Sequence, residues 1–311
     1  MSTIVNEILE EYLDLFFVDL YEAERRKACP IFKLIDDWQS SKLMGHEKPE
    51  SELKQEILEL LDDGADVHEP EFPLSDFNEG YTPILKASEA GAVEVVQALI
   101  EKGANIEDKL ISGYTNATSL SLAVRYNRLE LVKILVKNGA NLESRCTMGD
   151  TPLHLACMNN RPEIAEILIK NGAELNSHPL CWGHRLSPLH LTIWSSASLE
   201  IIKLLIQHGA DLEKQSALGE TPLLYALLED KSEMAKVLIE RGANVNFINY
   251  KANGQTPLHC AATKDDPEIT KMLIYYGGKV NTRNFLGFDA LELSLHYKTQ
   301  AYKLIMCMYH E

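Results

Sequence analysis

Apolar residues in this chain come in short bursts at helical spacing, and the bursts recur. Leu153, Leu155 and Ala156 make one stripe, and Ile164, Ile167 and Leu168 make a second. Residues three and four apart share a helix face, so each burst predicts a short amphipathic helix, and each pair predicts a helix–turn–helix unit. A residue suited to capping opens the first helix, usually followed by Pro: Thr82-Pro83, Thr118-Ser119, Thr151-Pro152, Ser187-Pro188, Thr221-Pro222, Thr256-Pro257 and Asp289-Ala290. A hydroxyl or carboxylate there can accept a free helix N–H, and Pro at the first helical position loses no hydrogen bond. A glycine closes the second helix at Gly64, Gly103, Gly139, Gly172, Gly209, Gly242 and Gly277, which predicts a left-handed residue after each helix. Successive caps lie 36, 33, 36, 34, 35 and 33 residues apart.

The in-phase recurrence of Thr151-Pro152-Leu153-His154, Ser187-Pro188-Leu189-His190 and Thr256-Pro257-Leu258-His259 with the closing glycines resembles the ankyrin-repeat family over about residues 51–311. The resemblance implies an all-α solenoid of about seven stacked helix–turn–helix units with short β-hairpin fingers. It also implies that His154, His190 and His259 are structural hydrogen-bonding residues rather than metal ligands or general bases. A single unit cannot bury its own apolar face, so end units are expected to be modified as caps. The last unit fits, opening on Asp289 and reaching Glu311 without a closing glycine.

Departures from the repeat point to function. Cap and closing glycine are 21 residues apart in five units and 22 in the unit opening at Ser187, so the helical body is nearly invariant. The joints vary instead. Those at 139–151, 209–221 and 277–289 take 12 residues, whereas those at 64–82, 103–118, 172–187 and 242–256 take 18, 15, 15 and 14. The family resemblance places these fingers on the rim of a concave face, and insertions confined to one face often mark binding. The lengthened fingers carry Tyr114, Trp182, Arg185, Phe247 and Tyr250. The positions following the inner-helix apolar stripe carry Tyr126, Met158, Trp194 and Leu228. Aromatics, Met and Arg at adjacent exposed positions match the composition of interface cores. These nine residues are the expected partner-binding set, with Trp182 the one most able to fold back onto its own neighbour.

Residues 1–50 do not follow the repeat. Val5, Leu9, Tyr12, Phe16 and Leu20 form a helical stripe, and Cys29-Pro30-Ile31-Phe32 resembles a degenerate repeat start lying 35 residues before Gly64. The excess length is expected in the polar loop around Met44–Pro49. This segment is read as a helical amino-terminal cap on an array spanning 51–311. A docking helix for a second protein is the alternative, weakened by the lack of a convincing F-box and of room after Glu311 for a SOCS-type box.

Charge refines the expected partner. The net charge is −16, which argues against nucleic acid or an anionic membrane surface. Residues 1–80 hold 21 acidic and 7 basic side chains, leaving the remainder nearly neutral. The six cysteines, Cys29, Cys146, Cys157, Cys181, Cys260 and Cys307, form no CxxC pair and read as free thiols. The acidic start does not read as a signal peptide, and no apolar run approaches the ~20 residues of a membrane helix. Glycine-rich phosphate loops, HExxH and G-x-S-x-G are all missing, so neither catalysis nor a cofactor or metal is expected. The sequence therefore predicts a monomeric, non-catalytic scaffold or adaptor for another protein, cytoplasmic, with the nucleus or non-classical secretion as alternatives. Its rival is an inhibitor, immunity protein or delivered effector whose acidic amino-terminal region meets a basic target.

Overall fold

The computed structural model describes residues 30–45, 48–68, 80–110, 116–179 and 185–309. Sixteen helices and one two-stranded hairpin lie among them, and the chain divides into two compact units, Met1–Thr147 and Met148–Glu311.

The first unit holds α1 (Pro30–Leu43), α2 (Glu50–Asp62), α3 (Pro83–Ala90), α4 (Val93–Glu101), α5 (Ser119–Arg125) and α6 (Leu129–Lys137). Helices pair as antiparallel hairpins, and like packs on like: α1 on α3 and α3 on α5, α2 on α4 and α4 on α6. Between α4 and α5, β1 (Lys109–Leu110) pairs antiparallel with β2 (Ala117–Thr118), Lys109 opposite Thr118. The extra length before Gly64 is not all loop. α1 runs for 14 residues where the other opening helices have 7 or 8, and Ile31, Phe32, Ile35 and Trp38 are all buried on it. A fourth apolar turn on one face is what prolongs the helix. The Trp38 indole N–H then donates to the Lys48 carbonyl at 3.0 Å, tying the returning loop to it. The stripe at Val5–Leu20 lies outside the described residues.

The second unit holds α7 (Pro152–Met158), α8 (Pro162–Lys170), α9 (Pro188–Trp194), α10 (Leu199–Gln207), α11 (Pro222–Leu228), α12 (Ser232–Glu240), α13 (Pro257–Lys264), α14 (Pro267–Tyr275), α15 (Ala290–His296) and α16 (Ala301–Tyr309). The odd-numbered helices form one layer and the even-numbered helices a second, each packing on the next in its layer. The predicted chemistry is in place at the helix ends. Thr118, Thr221, Thr256 and Asp289 accept the N–H three residues on at 3.3, 3.4, 3.4 and 2.9 Å. The seven closing glycines all have φ between 85° and 101°.

One stacking device has no counterpart in the helical pattern. The side chain four residues beyond a closing glycine accepts a backbone N–H from the following repeat. Glu107 takes that of Asn141 at 2.8 Å, Asn176 that of Asp211 at 2.9 Å, Glu213 that of Asn244 at 2.7 Å and Asn246 that of Lys279 at 2.8 Å. These bonds lie at the surface and tie each finger to the next. Burial raises the Glu213 carboxyl above its usual range, partly offset by the Asn244 N–H.

Candidate functional site

Three of the five opening helices of the second unit, α7, α9 and α13, are each anchored by a histidine, which fixes what those helices present. His154, His190 and His259 are buried. Each Nδ1 meets the hydroxyl of its cap residue, Thr151, Ser187 or Thr256, at 2.8, 2.8 and 2.7 Å. Each Nε2 meets a carbonyl oxygen of the next finger, Ser177, Glu220 or Phe288, at 3.1 Å. A carbonyl can only accept, so Nε2 carries the proton and Nδ1 accepts. Burial lowers the His190 pKa to about 4 and lowers that of His259 as well. These neutral imidazoles are cross-braces with both nitrogens engaged. Among the described residues, no group of three or more His, Cys, Asp or Glu side chains is placed to hold a metal ion. The buried Cys157 and Cys260 are free thiols, pushed up to about 12 by burial, far from the thiolate a nucleophile needs.

The inner-helix candidates fall at the end of each opening helix. In the first unit Tyr126 follows α5, is exposed, and donates its hydroxyl to the Glu89 carboxylate at 3.0 Å. In the second unit Met158, Trp194 and Leu228 are the last residues of α7, α9 and α11, which pack side by side. Pro188 to Ile193 are buried without exception, yet Trp194 is 53% exposed. Met158 and Leu228 are half-buried on either side. The Ser195 hydroxyl donates to the Cys157 carbonyl at 3.4 Å, bracing the turn after Trp194 against the neighbouring helix end. Tyr225, on α11, was not among the expected residues. Its ring meets His190 edge-on at 5.6 Å, and burial, then Glu229 and Glu220, push its phenol up to about 12. Its signal was a Tyr in the register where Leu155 and Leu191 stand.

Of the finger candidates, Tyr114 and Trp182 lie outside the described residues. Arg185 is exposed, has φ 46°, and its carbonyl accepts from His178 Nδ1 at 3.1 Å. Phe247 is half-buried, whereas Tyr250 is 74% exposed and its ring centroid lies 5.9 Å from that of Phe285. Neighbouring tips carry exposed Leu218, Phe285, Leu286 and Phe288, which lie outside the expected set. They had a signal: Met148, Leu218 and Leu286 each precede a glycine two residues before a cap, putting an apolar side chain at the apex of a turn. In the second unit the structure thus brings together two apolar sets, one at the inner-helix ends and one at the fingertips.

Comparison with known proteins agrees with this architecture. A family model described as ankyrin repeats (3 copies) matches residues 107–179 and 182–284, and one described as ankyrin repeat matches residues 79–109. A Rickettsia bellii (strain RML369-C) protein described as an ankyrin repeat protein is 58% identical over 33 residues, 11% of this chain. That stretch spans 5% of the relative's own length. The crystal structure of the human ASB11 ankyrin repeat domain is 26% identical and superposes with a TM-score of 0.57, covering 73% of this chain and 97% of that domain.

Proposed function

We propose that this chain, which belongs to the ankyrin-repeat family, is a non-catalytic scaffold or adaptor that holds another protein. Ankyrin repeats are generally protein–protein interaction modules. The contact residues of the second unit are Met158, Trp194 and Leu228 on the inner helices, with Arg185, Phe247 and Tyr250 on the fingers. In the first unit, taken by itself, the proposed contacts are Tyr126 and Tyr114, and Trp182 is a further proposed contact of the second unit. Residues 1–50 serve as a cap, a role supported by the burial of Ile31, Phe32 and Ile35 on α1 and its packing on α3. Among the described residues, no helix is long and apolar enough to cross a membrane.

One observation carries the reading. Trp194 ends a helix that is otherwise buried, so its half-open indole is set on rigid backbone and braced by Ser195. An indole presented this way loses little conformational entropy on binding, the usual circumstance of an interface anchor. The test is affinity capture from the source cell with the wild-type chain and the Trp194→Ala chain as paired baits, followed by mass spectrometry. A protein retained by the first and lost from the second supports the reading. An identical catch on both baits contradicts it.

A further inference from the structure

We propose that the fingers at 243–255 and 278–288, with Leu218 at their edge, continue the finger part of the contact set, Phe247 and Tyr250, as one strip in the unit Met148–Glu311. The strip is suited to an extended peptide segment that combines carboxylates with large apolar side chains. This rests on the reading that the chain binds protein and specifies the chemistry of what it binds.

Three observations converge. The first is apolar exposure: Leu218 is 55% exposed, Phe285 60% and Leu286 66%, and the exposed Tyr250 ring leans on Phe285. Side chains of this size on consecutive loop tips go beyond the scattered apolar residues of an ordinary surface.

The second is that the strip is built in advance. Asn249 is buried; its Oδ1 accepts the Lys251 N–H at 3.0 Å and its Nδ2 donates to the Leu218 carbonyl at 3.2 Å. The Phe285 N–H donates to the Asn253 carbonyl at 2.8 Å, and Asn284 Oδ1 accepts from Leu286 and Phe288, both at 3.0 Å. The three tips are therefore bonded one to the next, and the apolar groups sit on ordered backbone. That arrangement reduces the entropy lost when a ligand settles on it.

The third is charge. The chain has 46 acidic residues, yet neither finger contains an Asp or a Glu. They contain Lys251, Lys279 and Arg283, all exposed; Arg283 pairs with Glu292 at 3.3 Å, so Lys251 and Lys279 are the cations the strip offers a ligand. On a molecule of net charge −16 this is a local reversal, and it attracts carboxylates. Lys251 and Lys279 on so acidic a chain are a poor footing for a phosphate polymer or an anionic bilayer. Stacked repeats recur about every 10 Å, close to three residues of polyproline II chain at ~3.1 Å each. An extended segment can thus place every third side chain over a successive tip.

The test is selection of a phage-displayed library of random peptides, about twelve residues long, on the full chain. Affinities of the enriched peptides are then measured by fluorescence anisotropy. Enriched sequences should join Asp or Glu to Phe, Tyr, Trp or Leu, and should bind more weakly as salt is raised. Tyr250→Ser/Leu286→Ser should weaken binding about tenfold or more, and so should Lys251→Glu/Lys279→Glu, with melting temperatures unchanged. Selection of basic peptides, selection of none, or full affinity in both variants would overturn the strip. So would binding of phosphatidylserine vesicles or oligothymidylate through these residues while peptides fail to bind. Peptides lost only in Trp194→Ala would refute the strip and leave the inner-helix reading standing.

Discussion

The Nε2 atom of His190 donates a hydrogen bond to the carbonyl oxygen of Glu220, thirty residues further along the chain, at 3.1 Å. That bond ties the start of one repeat's inner helix to the finger of the next, while Nδ1 of the same ring holds the Ser187 cap. It requires the neutral imidazole, because Nδ1 must remain an acceptor.

Stability should therefore depend on pH through this residue. Burial holds the His190 pKa at about 4 in the folded state, against 6.5 unfolded. Between those values the unfolded chain binds more protons than the folded one, so protonation favours unfolding. The contribution is fully present above pH 6.5 and is lost as pH falls toward 4, amounting to about 3 kcal/mol in all. Urea melts at pH 7 and pH 5 should show the wild-type chain losing more stability than His190→Asn. Equal losses would mean that the folded chain takes up the proton as readily as the unfolded one, so that the ring is not buried and braced as described.

Closing glycines give a cleaner contrast. A Cβ on Gly242 would meet no atom within 4 Å, so Gly242→Val should cost only the strain of its φ of 90°, about 1–2 kcal/mol. At Gly254, φ is 68° and a Cβ would lie 2.7 Å from the Phe285 ring. Gly254→Val should thus cost more than Gly242→Val in urea melts, and should also shift the near-ultraviolet signal of the Tyr250–Phe285 pair.

These examples show what the sequence made legible. The helical bodies could be read because Thr256, Pro257, His259 and Gly277 each do a local job that only a few residue types can do. The fold class and the seven turns followed from their phase. The fingertips could not be read in full, because whether Phe285 or Leu286 is covered depends on stacking rather than on spacing. The same holds for the acceptors Glu107, Asn176, Glu213 and Asn246, which look like ordinary polar loop residues until the next repeat supplies an N–H. Length alone also could not show that α1 gains a turn, since the same excess fits a longer loop.

The fingertip braces make a further expectation. Asn249 serves two backbone groups while almost wholly buried, so Asn249→Ala leaves them unsatisfied and should cost about 1–3 kcal/mol. Lys251 is exposed, and its ammonium reaches only the Ala217 carbonyl, at 3.1 Å, so Lys251→Ala should cost less than about 0.5 kcal/mol. Similar midpoints for the two variants in urea would show that the finger is not pinned at its apex.

Trp194 and its neighbours are proposed to hold a partner protein. Once that partner is purified, titration calorimetry on wild-type and Trp194→Ala chains tests the claim directly, with thermal melts alongside. Binding should weaken by about 2 kcal/mol or more, roughly thirtyfold in Kd, at an unchanged melting temperature. Unchanged affinity in a Trp194→Ala chain that melts normally would contradict it.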